Sequence, residues 1–182
     1  YLQSRGALPR QSLVAGMPVS LKSDDEDAGN HLSYIMCPYF TNEVNALRRL
    51  QRIVKVTRKA KAELGGMSHT ASQDYYALVM APTILLTVTG NATLVRPATN
   101  AIFSNVPGSR ETLYLEGAEL EALYPLSIVT DAMALNITVV SHVNKLCFAV
   151  SICPTGLPGI ERLGSLLKEN YRELQRAMKG AA

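Results

Sequence analysis

The sequence predicts an α/β (α+β) domain: a mixed β-sheet carrying one long hairpin and covered by helices. Three observations predict it. Runs rich in β-branched and aromatic residues recur in both halves of the chain. Stretches between and after them switch to apolar residues spaced three and four apart. Two apolar runs near the C-terminal end are joined by a short polar turn, His142-Val143-Asn144-Lys145. A chain of 182 residues, 47% hydrophobic and 18% charged, can bury one ordinary core. It holds no run of eighteen apolar residues, so no membrane-spanning helix is expected.

The elements follow in chain order. YLQSRGALPRQ has neither an initiator methionine nor a secretory pattern; it reads as the tail of an earlier element, and the chain as part of a larger protein. Ser12–Leu21 is an apolar strand in which Pro18 argues for an edge or a bulge. Asp24-Asp25-Glu26-Asp27 is a solvated acidic loop rather than a metal site, for want of an ordered ligand frame. His31–Phe40 is the next strand. Glu43 to Leu64 is helical, capped by Thr41 or Asn42, with Val44, Leu47, Leu50, Val54 and Leu64 as its buried stripe. Ser68–Gly90 is helical in two parts divided at Pro82 and opened by Thr70 or Ser72. Thr99–Ser104 and Thr112–Glu116 are strands. Met133–Ser141 and Leu146–Ile152 form the hairpin, with Asn144 taking the left-handed turn position. Pro158–Met178 is an amphipathic helix whose apolar positions are Ile160, Leu163, Leu166, Leu167, Tyr171 and Leu174.

Self-contained chemistry is scarce. Net charge is +3 without clustered nucleic-acid motifs, which disfavours a nucleic-acid module. Cys37, Cys147 and Cys153 lack metal-like spacing; Cys37 and Cys147 lie in apolar runs and read as small buried hydrophobes in a reducing, cytoplasmic setting. His31 reads as a packing residue, His69 and His142 as exposed structural ones, and no nucleophile elbow or phosphate-binding glycine loop is present. Arg48, Arg52, Lys55 and Lys59 form a basic stripe, either a solvated face or a contact for phosphates or an anionic membrane. Asp131 is an acid between apolar segments and needs hydrogen bonds or a cleft. FSNVPGS, residues 103–109, is either a surface turn or a rigid corner holding Ser104 and Asn105 at a pocket mouth.

Three stretches decide between these readings: LPRQSLVAGMPVSLKSDDEDAGNHLSYIMCPYFTNE, NAIFSNVPGSRETLYLEGAELEALYPLS and TDAMALNITVVSHVNKLCFAVSICP. In this order they resemble the C-terminal domain of the bacterial wax ester synthase / acyl-CoA:diacylglycerol acyltransferase family, and they span most of the chain. The resemblance implies a chloramphenicol-acetyltransferase-like subdomain over residues 1–182. Its N-terminal partner subdomain, which carries the family's paired-histidine motif, lies outside the chain. It further implies acyl transfer from fatty acyl-CoA to a long-chain alcohol or a diacylglycerol, with no cofactor beyond the acyl-CoA co-substrate. The alternative is a non-catalytic lipid-binding or structural domain of the same fold. The expected location is cytoplasmic, peripheral to the inner membrane or lipid droplets. Ser104, Asn105, Asn30, Asp131 and Asn136 are the expected substrate contacts, Arg48, Arg52, Lys55 and Lys59 the CoA or membrane contacts, and Leu32–Met36 and Leu135–Val139 the tunnel linings. The chain departs from the family pattern at Ala132, where glycine is common after the aspartate, at Asn144, where glycine is frequent, and at His31.

Overall fold

The computed structural model describes residues 1–20, 32–91, 97–129 and 133–180. Among the described residues seven strands and three α-helices follow one another: β1 (Val14–Ser20), β2 (Leu32–Pro38), α1 (Ala46–Gly65), α2 (His69–Val88), β3 (Ala101–Val106), β4 (Tyr114–Leu115), β5 (Ala118–Glu119), β6 (Leu135–His142), β7 (Lys145–Ile152) and α3 (Leu163–Lys179). Five strands form one mixed sheet in the order β2-β1-β3-β6-β7. The central β1, β3 and β6 run parallel, and β2 and β7 flank them antiparallel. β4 and β5 pair only with each other.

Side chains alternate across a strand, so the register sorts the sheet into two faces. Ala15, Cys37, Ala101, Phe103, Ile137 and Val150 share the first face. There Ala15, Ile35, Cys37 and Leu64 form the buried core, with Ile53, Val56 and Ala60 of α1 packed against it. Among the described residues the helices lie over the β2 and β1 side, and Leu146 and Phe148 of β7 stay exposed on the same face. The second face carries Gly16, Tyr34, Ile102, Ser104, Asn136, Thr138 and His142. A Cβ on Gly16 would meet the Tyr34 hydroxyl, so the phenol lies across this strand only because the position has no side chain.

Several local expectations change. Pro18 sits in an interior strand, but β1 pairs with β3 only at Ala15 and Gly16, so at Pro18 its ladder partner is β2 alone. The α1 cap is Asn45, whose side chain accepts the Arg48 N–H at 2.9 Å. The helix therefore starts after Val44, which is 90% exposed and outside the buried stripe. Thr41 instead accepts the Leu13 N–H. α2 runs unbroken through Pro82 and is capped by Ser68. Pro82 withholds one bond from Leu78, and both residues lie on the exposed side, where solvent can take the carbonyl. The left-handed residue of the β6–β7 turn is Val143, at φ 51°, and not Asn144. Tyr171 is exposed rather than buried on α3.

Candidate functional site at the carboxyl edge of the sheet

The parallel strands end together, β1 at Ser20, β3 at Val106 and β6 at His142. In open sheets of parallel strands this edge is where ligands are held. The corner Pro107-Gly108-Ser109 sits there, fastened to the hairpin tip. Gly108 N–H donates to Ser141 Oγ at 3.1 Å, and Val143 N–H donates to Ser109 O at 2.9 Å. A Cβ on Gly108 would lie 2.0 Å from Ser141 O. The glycine is therefore required by close backbone approach, and its φ is not in the left-handed region.

The strand does not stop at the two polar residues but continues through them to Val106. Ser104 and Asn105 consequently point to opposite faces and cannot meet one pocket with both side chains. Ser104 is half-buried on the second face opposite Thr138; Asn105 is exposed on the first. Neither side chain has a hydrogen-bond partner among the described residues. Asn136 shares the second face with Ser104, is 4% exposed, and is spent. Its amide donates to Ser127 Oγ at 2.7 Å and Ile128 O at 3.1 Å, and its carbonyl accepts from Thr138 at 3.1 Å. Asn30, His31, Asp131, Ala132 and the acidic run lie outside the described residues.

Sequence reasoning named Asn136 but missed the second-face polar row to which it belongs. Asn136, Thr138 and His142 all fall on even positions of β6, a period-two signal that was legible in ALNITVVSH. His142 is 3% exposed rather than solvated, and its Nε2 lies 2.9 Å from Leu120 O. With Asn136 it holds the segment 120–128 across the second face, running back along β6.

Electrostatically the interior is quiet. Burial pushes the Cys37 thiol up. It does the same to the Tyr34 phenol, partly offset by a hydrogen bond with Thr99, and raises Tyr39 strongly, with the Cys37 and Tyr34 charges adding. These groups stay protonated at neutral pH and supply no base. Cys37 and Cys147 are buried, and Cys153 Sγ lies 3.2 Å from Thr155 Oγ1. No cluster of three or more His, Cys, Asp or Glu arranged for a metal occurs among the described residues.

The basic stripe is exposed as expected but sits on α1, over the first face, away from Ser104. Arg52 stacks over Phe40 at 4.0 Å and lies 3.9 Å from Glu43, and Lys59 lies 3.7 Å from Glu63. Arg48 and Lys55 have no ion pair among the described residues. Of the expected linings, Ile35 is core, Met36 is partly exposed on the second face, and Leu135 and Val139 are half-buried on the first. A shallow groove lined by Pro9, Arg10, Gln11, Leu13 and Asn100 opens at the opposite edge of the sheet and contains none of these residues.

Comparison with known proteins places this geometry. Residues 28–175 match the WS/DGAT C-terminal domain. The chain is 38% identical to the O-acyltransferase WSD of Acinetobacter baylyi over 172 residues, 94% of this chain and 37% of the relative. It is 37% identical over 179 residues to a putative diacylglycerol O-acyltransferase of Mycobacterium tuberculosis, 98% of this chain and 40% of the relative. It superposes on the wax ester synthase/diacylglycerol acyltransferase from Marinobacter aquaeolei VT8 with a TM-score of 0.84 at 33% identity, covering 97% of this chain and 40% of that one. The chain thus spans about two-fifths of the length of these relatives.

Proposed function

The chain belongs to the wax ester synthase/diacylglycerol acyltransferase family, as its C-terminal domain, and on that premise we propose that it forms one wall of an acyl-CoA-dependent O-acyltransferase. The acceptor is a long-chain alcohol or a diacylglycerol. The observation that carries the reading is the likeness over nearly the whole chain to relatives named for this activity.

The chemistry divides between this domain and the rest of the polypeptide. A base removes the alcohol proton, and the oxygen bonds to the thioester carbonyl carbon while an electron pair moves onto the carbonyl oxygen. The pair returns as the C–S bond breaks, and CoA leaves as the thiol with the proton. The reaction balances with acyl-CoA and alcohol alone. The base belongs to the N-terminal portion, to which the family resemblance assigns the paired histidines; in this domain burial keeps the Cys37 thiol and the Tyr34 and Tyr39 phenols protonated. What this domain offers is a hydroxyl at a fixed place. Ser104 presents a half-buried hydroxyl with no hydrogen-bond partner among the described residues, whereas the Asn105 amide is exposed on the other face. Ser104 is accordingly the group that hydrogen-bonds the acyl carbonyl as its oxygen gains charge. Asn136 positions segment 120–128 rather than touching substrate. Because the basic stripe lies over the other face, its role is contact with an anionic lipid surface and not with CoA phosphates.

The test is the full-length enzyme with hexadecanoyl-CoA and either hexadecanol or dioleoylglycerol, following CoA thiol release and ester formation together. Alcohol-dependent release with matching ester is expected. CoA release that does not depend on an acceptor, or none at all, overturns the proposal in favour of a lipid-binding or structural domain. Arg48→Glu with Lys55→Glu should weaken sedimentation with anionic vesicles at least tenfold and leave the KM for acyl-CoA unchanged; a raised KM with intact vesicle binding assigns the stripe to CoA.

A further inference from the structure

The five-stranded sheet has two edges, and they are finished differently. β2 ends at Pro38 and has α2 packed beside it, with Tyr76 edge-on to Tyr34. β7 has neither device. It runs for eight residues, KLCFAVSI, in unbroken one-to-one register with β6, and so carries no bulge, proline or glycine. Its one charge, Lys145, sits at the hairpin end and donates to Glu121 O at 3.1 Å. Folded proteins blunt edge strands with charges, prolines or bulges, because a long, flat, apolar edge pairs with another chain.

The free backbone and the exposed side chains of β7 belong to the same residues. Opposed pairs in an antiparallel ladder alternate between hydrogen-bonded and non-bonded. Cys153 N–H donates to Ala134 O, so Ser151, Ala149, Cys147 and Lys145 direct their backbone groups to β6. Leu146, Phe148 and Val150 therefore turn N–H and C=O outward, with no strand beyond them among the described residues. Their side chains stand on the first face, 63%, 48% and 39% exposed.

Self-pairing satisfies both features at once. Two antiparallel copies keep first face on first face only when the numbers of opposed residues have an even sum. A two-fold axis at Phe148 meets that condition and centres the overlap on the exposed triplet. Phe148 then opposes its own copy and Leu146 opposes Val150, three bonded pairs with about six N–H···O bonds. Apolar side chain meets apolar side chain in each pair, and the two Lys145 ammonium groups stand roughly 20 Å apart, beyond the Debye length. Seven opposed residues on each copy bury on the order of 1,000 Å², enough for a specific interface. We propose that the β7 edge is a dimer interface at which a second copy of this chain continues the sheet, with Phe148 on the two-fold axis. This goes beyond the acyltransferase reading and does not depend on it.

The experiment uses the full-length polypeptide in sedimentation velocity over a dilution series. The unsubstituted protein should dimerise, and Phe148→Lys should raise the dissociation constant at least tenfold. Val44→Lys adds the same charge at a 90% exposed site before α1 and should leave it unchanged. A second measurement does not rely on the folding of F148K. L146C and V150C proteins, alone and mixed, are treated with a bis-maleimide spanning roughly 8 Å and read by peptide mass spectrometry. That span exceeds the roughly 5 Å between opposed residues and falls short of the roughly 14 Å between like ones. The mixture should give the crossed 146–150 link, and each protein alone little. A monomer at every concentration, a dimer that F148K leaves intact, or 146–146 and 150–150 links in place of the crossed one overturns the proposal. So does a V150C thiol that stays unlabelled in the dilute monomer, which assigns the edge to another part of the same polypeptide. Self-association that appears only with phosphatidylcholine vesicles assigns the edge to lipid and also overturns it.

Discussion

Replacing Gly108 with alanine is the most direct test of the corner. The added Cβ would stand 2.0 Å from Ser141 O and 3.1 Å from Val140 Cγ1, so the backbone of β6 must move or the corner must lift. Neither neighbour is the far end of a flexible side chain. Overpacking of this kind costs about 1–3 kcal/mol. Lifting the corner instead loses the Gly108 N–H bond to Ser141 and the Val143 N–H bond to Ser109, about 1 kcal/mol each. Either route costs about 2 kcal/mol, or a fall in Tm of about 4–8 °C for a domain of this size. Gly156→Ala is the matched control: its Cβ would meet Ala134 Cβ at 3.4 Å, an ordinary contact, and its effect should stay within about 1 kcal/mol. Thermal unfolding of the full-length protein, followed by circular dichroism and calorimetry, compares the two. If G108A melts no lower than G156A, the corner is not clamped to the hairpin tip, and the argument from close approach fails.

Other outcomes follow from the same geometry. Ser104→Ala should lower kcat at least tenfold, about 1.4 kcal/mol in the barrier, with Tm unchanged, while Asn105→Ala stays within threefold; equal losses in the two would show that the strand does not divide them between faces. Asn136→Ala should destabilise by about 2–3 kcal/mol, because Ser127, Ile128 and Thr138 each lose a partner, and limited proteolysis should then cut within 120–128; an uncut segment would mean that His142 and Lys145 suffice to hold it. Tyr39→Phe removes a buried hydroxyl that has no partner among the described residues, so Tm at pH 7 should not fall. Its phenol, raised above the ordinary 10.0 chiefly by burial, keeps its proton in the folded state where the unfolded chain loses it. The folded state is therefore penalised only as pH rises above about 10, where the unfolded chain ionises, and the Tm drop between pH 8 and pH 11 should be smaller in Y39F; the same drop in both would place the alkaline sensitivity elsewhere.

The polar row explains why FSNVPGS cannot be read locally. Taken alone, Ser-Asn before Pro-Gly resembles the end of a strand, since small polar residues and turn formers usually stop one. Parallel pairing with β6 keeps β3 extended to Val106, and that pairing comes from residues more than thirty positions away. The corner is thus both a turn and an attachment point, and only the second role demands glycine.

Local chemistry in the sequence determined which elements form. Alternation in ALNITVV and KLCFAVS marks β6 and β7, three-and-four spacing marks α1 and α3, and the burial of Cys37 and Cys147 follows from their apolar neighbours. Tertiary structure decided where those elements lie and what their polar groups meet. The order β2-β1-β3-β6-β7 depends on crossovers, the continuity of α2 through Pro82 on which carbonyl faces solvent, and the burial of His142 on a segment that arrives from 22 residues away to cover a turn that reads as exposed. Periodicity is a property of consecutive residues and survives in any context. Hydrogen-bond partners across the sheet are set by register and crossover, which no window of neighbouring residues contains.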